Sequence, residues 1–222
     1  EKRIDHAVHA FILCNPHNPT GNVWSRQDLT RLGEICTRRR VVVLADEIHC
    51  DFVTAGNTYT PYATLDDDEI VRNSITYKSV SKSFNLSAMR CSYMFSTNRE
   101  YLDRISGPGQ LQQAMSTLAL VAAEAAYNEG EEWLNQLVEY IDGTQSFVEA
   151  FVREQVPFVN VIKPEGTYLS WLDVGEALNK TGSTASAASD ESMTPEGVFQ
   201  HYLVEHANIH INPGSNYGFG GA

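Results

Sequence analysis

SITYKSVSKSFNLSAMR, residues 74–90, is the stretch on which the reading of this chain turns. Ser74-Ile75-Thr76-Tyr77 is a β-branched and aromatic run of the kind that forms a buried strand, and the chain then passes at once into hydroxyls and a lysine. Lys82 therefore stands just beyond a strand end, with Ser79 and Ser81 before it and Arg90 eight residues on. An amine held this way can form an imine with an aldehyde. Ser79 and Arg90, with Ser81 as a third, can meet a phosphate, the hydroxyls by single hydrogen bonds and the guanidinium as a bidentate fork. Taken alone, the segment suits a solvated loop lysine better.

Two segments upstream change that balance. NPHNPTG (15–21) follows the apolar run Ala10-Phe11-Ile12-Leu13-Cys14, and ADEIHCD (45–51) follows Val41-Val42-Val43-Leu44. Both polar clusters fall just past buried strands, where open α/β sheets place their ligands.

In this order and spacing the three segments resemble the fold-type I pyridoxal-phosphate enzymes of the aspartate aminotransferase superfamily, from about residue 9 to the end of the chain. The histidine inside NPHNPTG, DEIH in place of the more usual DE-apolar-Tyr, and SKSFN are most similar to the cystathionine β-lyase and cysteine-S-conjugate β-lyase branch. The resemblance implies a role for each residue. Lys82 would carry pyridoxal 5′-phosphate and later move the Cα proton; Lys78, four residues earlier, lacks the Phe-Asn that follows the lysine in the family motif. Asp46 would face the pyridine nitrogen and keep it protonated, with Glu47 making a structural contact. Asn18 would donate to the phenolate oxygen, and His49 stands where many aminotransferases have a tyrosine doing the same. Ser79, Ser81 and Arg90 would hold the phosphate. Ala88 stands where family members commonly have glycine. His17 is expected to be structural, and Tyr168 and Asn216 to lie towards the substrate without an assigned role.

The activity implied is a β-lyase that cleaves cystathionine or an L-cysteine conjugate to a thiol, pyruvate and ammonia. An amino-acid aminotransferase is the alternative, and a binding protein that has lost catalysis is a third. The resemblance also implies a homodimeric parent whose site forms between subunits.

Composition bounds the partners. A net charge of −12 over 222 residues offers no basic stripe for nucleic acid or anionic membrane. No stretch approaches the roughly 20 apolar residues of a membrane span. Cys14, Cys36, Cys50 and Cys91 lack CxxC spacing and read as reduced core thiols in a cytoplasmic protein, not as disulfides or a metal site. The chain begins at Glu1 and stops at Phe219-Gly220-Gly221-Ala222, within a glycine-rich turn, so a fragment is expected. The phosphate-capping helix, the aromatic that stacks on the cofactor ring, a tyrosine from the neighbouring subunit and the arginine for the substrate carboxylate would then lie elsewhere, and the isolated chain would be inactive.

The expected fold class is α/β: residues 1–109 as part of a mostly parallel-sheet large cofactor domain, and 110–222 as linking helices and a smaller α+β domain. Strands are expected at 10–14, 41–45, 74–78 and 91–95, forming a parallel sheet covered on both faces, with a helix from Arg26 to Arg39 capped by Ser25. Two long helices fit Gln110 to Arg153. Strands are expected at 159–162 and 167–173 around a turn at Lys163-Pro164-Glu165-Gly166, then a helix from Thr194-Pro195 to His206 and a short strand at 209–212. The small-residue stretch between Ala177 and Met193 is expected to be a mobile surface loop.

Overall fold

The computed structural model describes residues 4, 7–107, 116–189 and 193–218. The expected domain boundary at 109/110, the helix start at Gln110, residues 190–192 and the turn at 219–222 lie outside the described residues. Two compact units are present: Glu1–Gln145 with Pro164–Leu169, and Ser146–Lys163 with Ser170–Ala222.

The first unit is built on a four-stranded sheet in the order β1 (Ala10–Cys14), β2 (Val42–Asp46), β3 (Ser74–Ser79), β4 (Ser92–Phe95). β1, β2 and β3 run parallel, and β4 runs antiparallel to β3. Between β1 and β2 lies α1 (Arg26–Arg39), which starts where Ser25 Oγ accepts the Asp28 N–H at 3.1 Å and stops where Arg40 turns left-handed. Arg38 and Arg39 occupy its last turn, where the helix dipole favours cations. α2 (Asp68–Arg72) begins on the Asp67 side chain and leads into β3.

Period-two alternation sends Leu13, Val43 and Ala45 to one sheet face, where they are buried with Leu29 and Cys36 of α1 and with Tyr62 and Ile70. Gly33 is required there, because a Cβ on it would lie 2.3 Å from Ile70 Cγ2 and 2.8 Å from the Tyr62 hydroxyl. The other face differs from the expectation of cover on both sides. Ile12 is 73% exposed, and its neighbours Val42 and Leu44 are half-buried. Those apolar side chains explain why β1 and β2 read as continuously hydrophobic although the described residues bury only one of their faces.

β3 runs into α3 (Val80–Ser83), a single turn carrying Lys82. α4 (Arg99–Ser106) follows β4, and then come α5 (Thr117–Glu129) and α6 (Glu131–Gln155). Val80, Cys91 and Ala119 of α5 form a second buried cluster, with Phe84 packed against it. Phe84 stacks on Trp133 of α6 at 6.2 Å and meets Tyr127 edge-on at 5.7 Å. These rings hold the lysine turn down.

The second unit has a two-stranded antiparallel sheet, β5 (Asn160–Ile162) with β6 (Trp171–Asp173), and the helices α7 (Gly175–Lys180), α8 (Ser183–Ala188) and α9 (Pro195–Ala207), the last capped by Thr194 as expected. Three expectations are corrected here. β6 starts at Trp171 rather than 167, because Pro164–Leu169 packs in the first unit. Residues 177–189 are mostly helical instead of a loop; alanine favours helix, and Ala177, Ser183 and Ala187 are small enough to be buried. Residues 209–212 form no strand, and the Ile211 N–H donates to the Gln200 side chain at 2.9 Å.

Candidate active site

Asn18, Asp46, His49, Ser79, Ser81 and Lys82 stand at or just past the ends of β1, β2 and β3, whereas no hydrogen bond or ion pair brings the Arg90 side chain to them among the described residues. Parallel register sets Cys14 beside Asp46 and Asp46 beside Tyr77, so the three loops that follow leave the sheet side by side. Asp46 is half-buried, and its carboxylate accepts the Ile48 N–H at 3.2 Å, which tightens the turn carrying His49.

His49 is 1% exposed, yet among the described residues neither ring nitrogen has a hydrogen-bond partner. Burial lowers its pKa, the nearby Lys82 charge lowers it further, and Asp46 opposes them. Lys82 and Asp46 are thus each near enough to act on His49, and the imidazole is held neutral. A neutral ring can donate one hydrogen bond and accept another, and a buried one without either lacks partners that native interiors ordinarily supply.

Lys82 is half-buried on α3, and among the described residues its amine makes no hydrogen bond or ion pair. Lys78 is committed elsewhere. Its Nζ lies 3.4 Å from Cys50 Sγ, 3.6 Å from Glu47 Oε2 and 5.4 Å from the Tyr59 ring centroid. Glu47 is fully buried, and its Oε1 accepts the Tyr62 N–H at 2.7 Å, the structural contact expected of it. Burial and Asp51 push the Cys50 thiol up to about 11, which leaves it protonated at neutral pH.

Asn18 is exposed at the first loop, its backbone N–H donating to Cys14 Sγ at 3.4 Å. Cys14 thereby ties the loop to the strand end beside Asp46; sequence reading took it for a core thiol only. His17 Nδ1 lies 2.7 Å from Thr20 Oγ1, a local contact within the loop.

Ser79 and Ser81 are 2.8 Å apart through their hydroxyl oxygens, and Ser79 Oγ accepts the Ser81 N–H at 3.0 Å. The Ser79 hydroxyl donates to the Cys91 carbonyl at 2.6 Å, which brings the chain just after Arg90 against the start of α3. Ser79 therefore also has a structural duty as a cap. Arg90 is exposed in the left-handed region, at φ 50°, and its guanidinium has no partner among the described residues.

Sequence reading missed the part played by Pro164–Leu169. Rather than a turn between two strands, it is a strap against the first unit: Glu165 N–H and Gly166 N–H both donate to Gly21 O, and Thr167 N–H donates to Phe52 O. The strap sets Tyr168 beside His49, with ring centroids 5.4 Å apart. Gly21 and Gly166 are the residues that mark it, since a Cβ on Gly166 would lie 2.8 Å from Phe52 O and one on Gly21 2.7 Å from Pro164 Cβ.

A mostly parallel sheet with loops leaving its carboxyl edge side by side, and on them a lysine and a buried imidazole without partners among the described residues, make a candidate α/β site, and comparison with known proteins gives its family. Residues 1–221 match the model of the aminotransferase class I and II family, to which the chain belongs. Cystathionine beta-lyase PatB of Bacillus subtilis (strain 168) is 37% identical over 224 residues, covering 99% of this chain and 53% of PatB. A PLP-bound structure from Clostridium difficile 630 superposes with a TM-score of 0.83 at 32% identity, covering 99% of this chain and 53% of that one. The PLP-bound C-S lyase from Staphylococcus hominis gives 0.81 at 28% identity over 96% of this chain and 51% of that one. The chain spans about half the length of these relatives.

Proposed function

We propose that the protein to which this chain belongs is a pyridoxal-phosphate-dependent carbon–sulfur β-lyase, acting on cystathionine or another L-cysteine conjugate to give a thiol, pyruvate and ammonia. The observation that carries the reading is a buried His49 that feels both Lys82 and Asp46 and whose two nitrogens, like the Lys82 amine, have no partner among the described residues. These groups suit a ligand with an aldehyde, a ring nitrogen and a phenolic oxygen. Bound pyridoxal phosphate supplies an electron sink for charge developing at the substrate Cα.

The chain's own residues do the rest. Lys82 would hold the cofactor covalently and, once the substrate amine displaces it, would move the Cα proton on its freed amine. Asp46 holds the proton on the ring nitrogen, and Asn18 and neutral His49 donate to the phenolic oxygen. Ser79, Ser81 and Arg90 grip the phosphate, the free Arg90 fork supplying the charge. In this reading residues 1–109 form part of the cofactor domain and 110–222 the linking helices and small domain of a cytoplasmic homodimer. Its small-molecule substrate is an amino acid.

Borohydride reduction of the cofactor-loaded protein followed by peptide mapping is expected to label Lys82; a label on Lys78 would overturn the assignment. The family's breadth supports a second reading, amino-acid transamination, which shares the Lys82 proton step. Pyruvate release from cystathionine, assayed beside transfer of the amino group to a keto acid, separates the two.

A further inference from the structure

His49 poses a mechanical question: among the described residues neither nitrogen has a hydrogen bond to fix the ring's rotation, although such a bond is what ordinarily orients a functional imidazole. Its orientation must come from packing, and two rings supply it, Phe52 at 6.4 Å and Tyr168 at 5.4 Å, themselves edge-to-face at 5.2 Å.

Phe52 follows His49 closely in the chain, whereas Tyr168 arrives on the strap. Thr167, just before it, is 1% exposed and has φ 68°, a conformation that a β-branched residue adopts only where its surroundings enforce it. The enforcement is visible. Glu165 Oε2 accepts the Val23 N–H at 2.8 Å, Thr54 N–H donates to Glu165 O at 2.9 Å, and Thr167 N–H donates to Phe52 O at 2.8 Å. Gly21 and Gly166 allow the close approach, since a Cβ on Gly21 would lie 2.7 Å from Pro164 Cβ. The strained residue turns the chain so that Tyr168 meets the imidazole.

We infer that Tyr168 is a positioning residue of the site, holding the His49 ring plane by contact, and that Glu165 is the latch that keeps the strap in place by binding the loop that carries Asn18. The inference rests on the reading that His49 serves the cofactor. One carboxylate thus couples the placement of Asn18 to that of His49.

The test uses the full protein containing this chain, with the variants Tyr168→Phe, Tyr168→Ala, Glu165→Gln, Glu165→Ala and the double Glu165→Ala/Tyr168→Ala. Without cofactor, the His49 ring-proton resonance is expected to move in both alanine variants and to stay in Tyr168→Phe and Glu165→Gln, which keep the ring and the acceptor. With pyridoxal phosphate, each alanine variant is expected to bind about tenfold more weakly, the scale found for groups that orient a working imidazole. The double variant should be no weaker than the weaker single, because both act through one strap. An unmoved His49 resonance in Tyr168→Ala, or losses that multiply to about a hundredfold in the double variant, would overturn the proposal. If Tyr168→Ala does not fold, Glu165→Ala against Glu165→Gln decides by the same readouts. If the unaltered protein takes up no pyridoxal phosphate, the cofactor reading fails, and the positioning role is decided by whether the His49 resonance moves in Glu165→Ala, which keeps the Tyr168 ring and its ring current.

Discussion

Two polar clusters form at the ends of β2 and β3, and they are opposites. In one, buried Glu47 has the Tyr62 N–H and Lys78, and Lys78 is placed against Cys50 and the Tyr59 ring. In the other, buried His49 has no hydrogen bond and Lys82 no partner among the described residues, and Asp46 lies near His49. The two carboxylates are successive residues and the two lysines, one on β3 and one on α3, are four positions apart, so composition cannot explain the contrast. The first cluster compensates its own charges and contributes to stability. The second leaves both nitrogens of a buried imidazole without partners among the described residues and has no compensating ion pair, whereas in the first the unbonded Glu47 Oε2 lies beside the Lys78 cation.

The sharpest break is lysine exchange. Lys82→Ala is expected to abolish borohydride labelling by pyridoxal phosphate while leaving the thermal midpoint near that of the parent. Lys78→Ala should do the reverse, keeping the label and costing about 3 kcal/mol, since it strips the Glu47 carboxylate of its counter-charge. Urea denaturation of both variants reads the second effect; equal stability would mean that Glu47 and Lys78 do not act as a pair.

Asp46→Asn against Glu47→Gln is the same test made on the carboxylates. Asp46→Asn is expected to slow Cα deprotonation by about 10²–10³, the scale of losing one preorganised electrostatic partner. Glu47→Gln should leave the rate within a few-fold and lower stability instead. Measured by Cα-proton exchange of a bound amino acid, near-normal exchange in Asp46→Asn would reduce that carboxylate to the cap it forms on Ile48.

Arg90→Lys should have a smaller effect. A point charge replaces a planar fork, and cofactor affinity is expected to fall about tenfold, or roughly 1.4 kcal/mol, with the rate at saturating cofactor little changed. Unaltered affinity in a fluorescence titration would place the phosphate away from Arg90.

The two units also differ in how far their residues announced them. In the first, strand runs, the Ser25 cap and the Asp46–Glu47 alternation are local signals, and the structure follows them within a residue or two. Burial reinforces each one, as at Leu13, Val43 and Leu29. In the second, Ile209–Asn212 has the apolar alternation of a strand but finds no strand partner, and alanine-rich 183–188 is helical without any large apolar residue to mark a face. The strap was illegible for another reason. Its meaning lies in hydrogen bonds between residues more than a hundred positions apart, such as Val23 to Glu165, and a lone Pro-Glu-Gly reads as a turn until its partner is known. His49's isolation was equally invisible, because a missing partner is a property of packing.

The smallest effect discriminates the clusters by pH. His49 is depressed by burial and by Lys82, so the folded protein resists protonating it while the unfolded chain does not. Above about 6.5 both states are neutral and the group contributes nothing to the pH dependence; below it the unfolded state binds the proton first, and stability falls as pH falls until the folded-state pKa is passed. The slope from one such group is below about 1.4 kcal/mol per pH unit. His17, lowered by burial, adds to it with the same sign. Cys50, raised to about 11, stays protonated in the folded chain at and below neutral pH, so it adds nothing there. Urea midpoints between pH 7.5 and 5.5, values chosen to straddle the roughly 6.5 of a free imidazole, should decline in the parent chain and decline less in His49→Gln. An unchanged slope in that variant would show that His49 already exchanges protons with water, and that the second cluster is less closed to solvent than its burial implies.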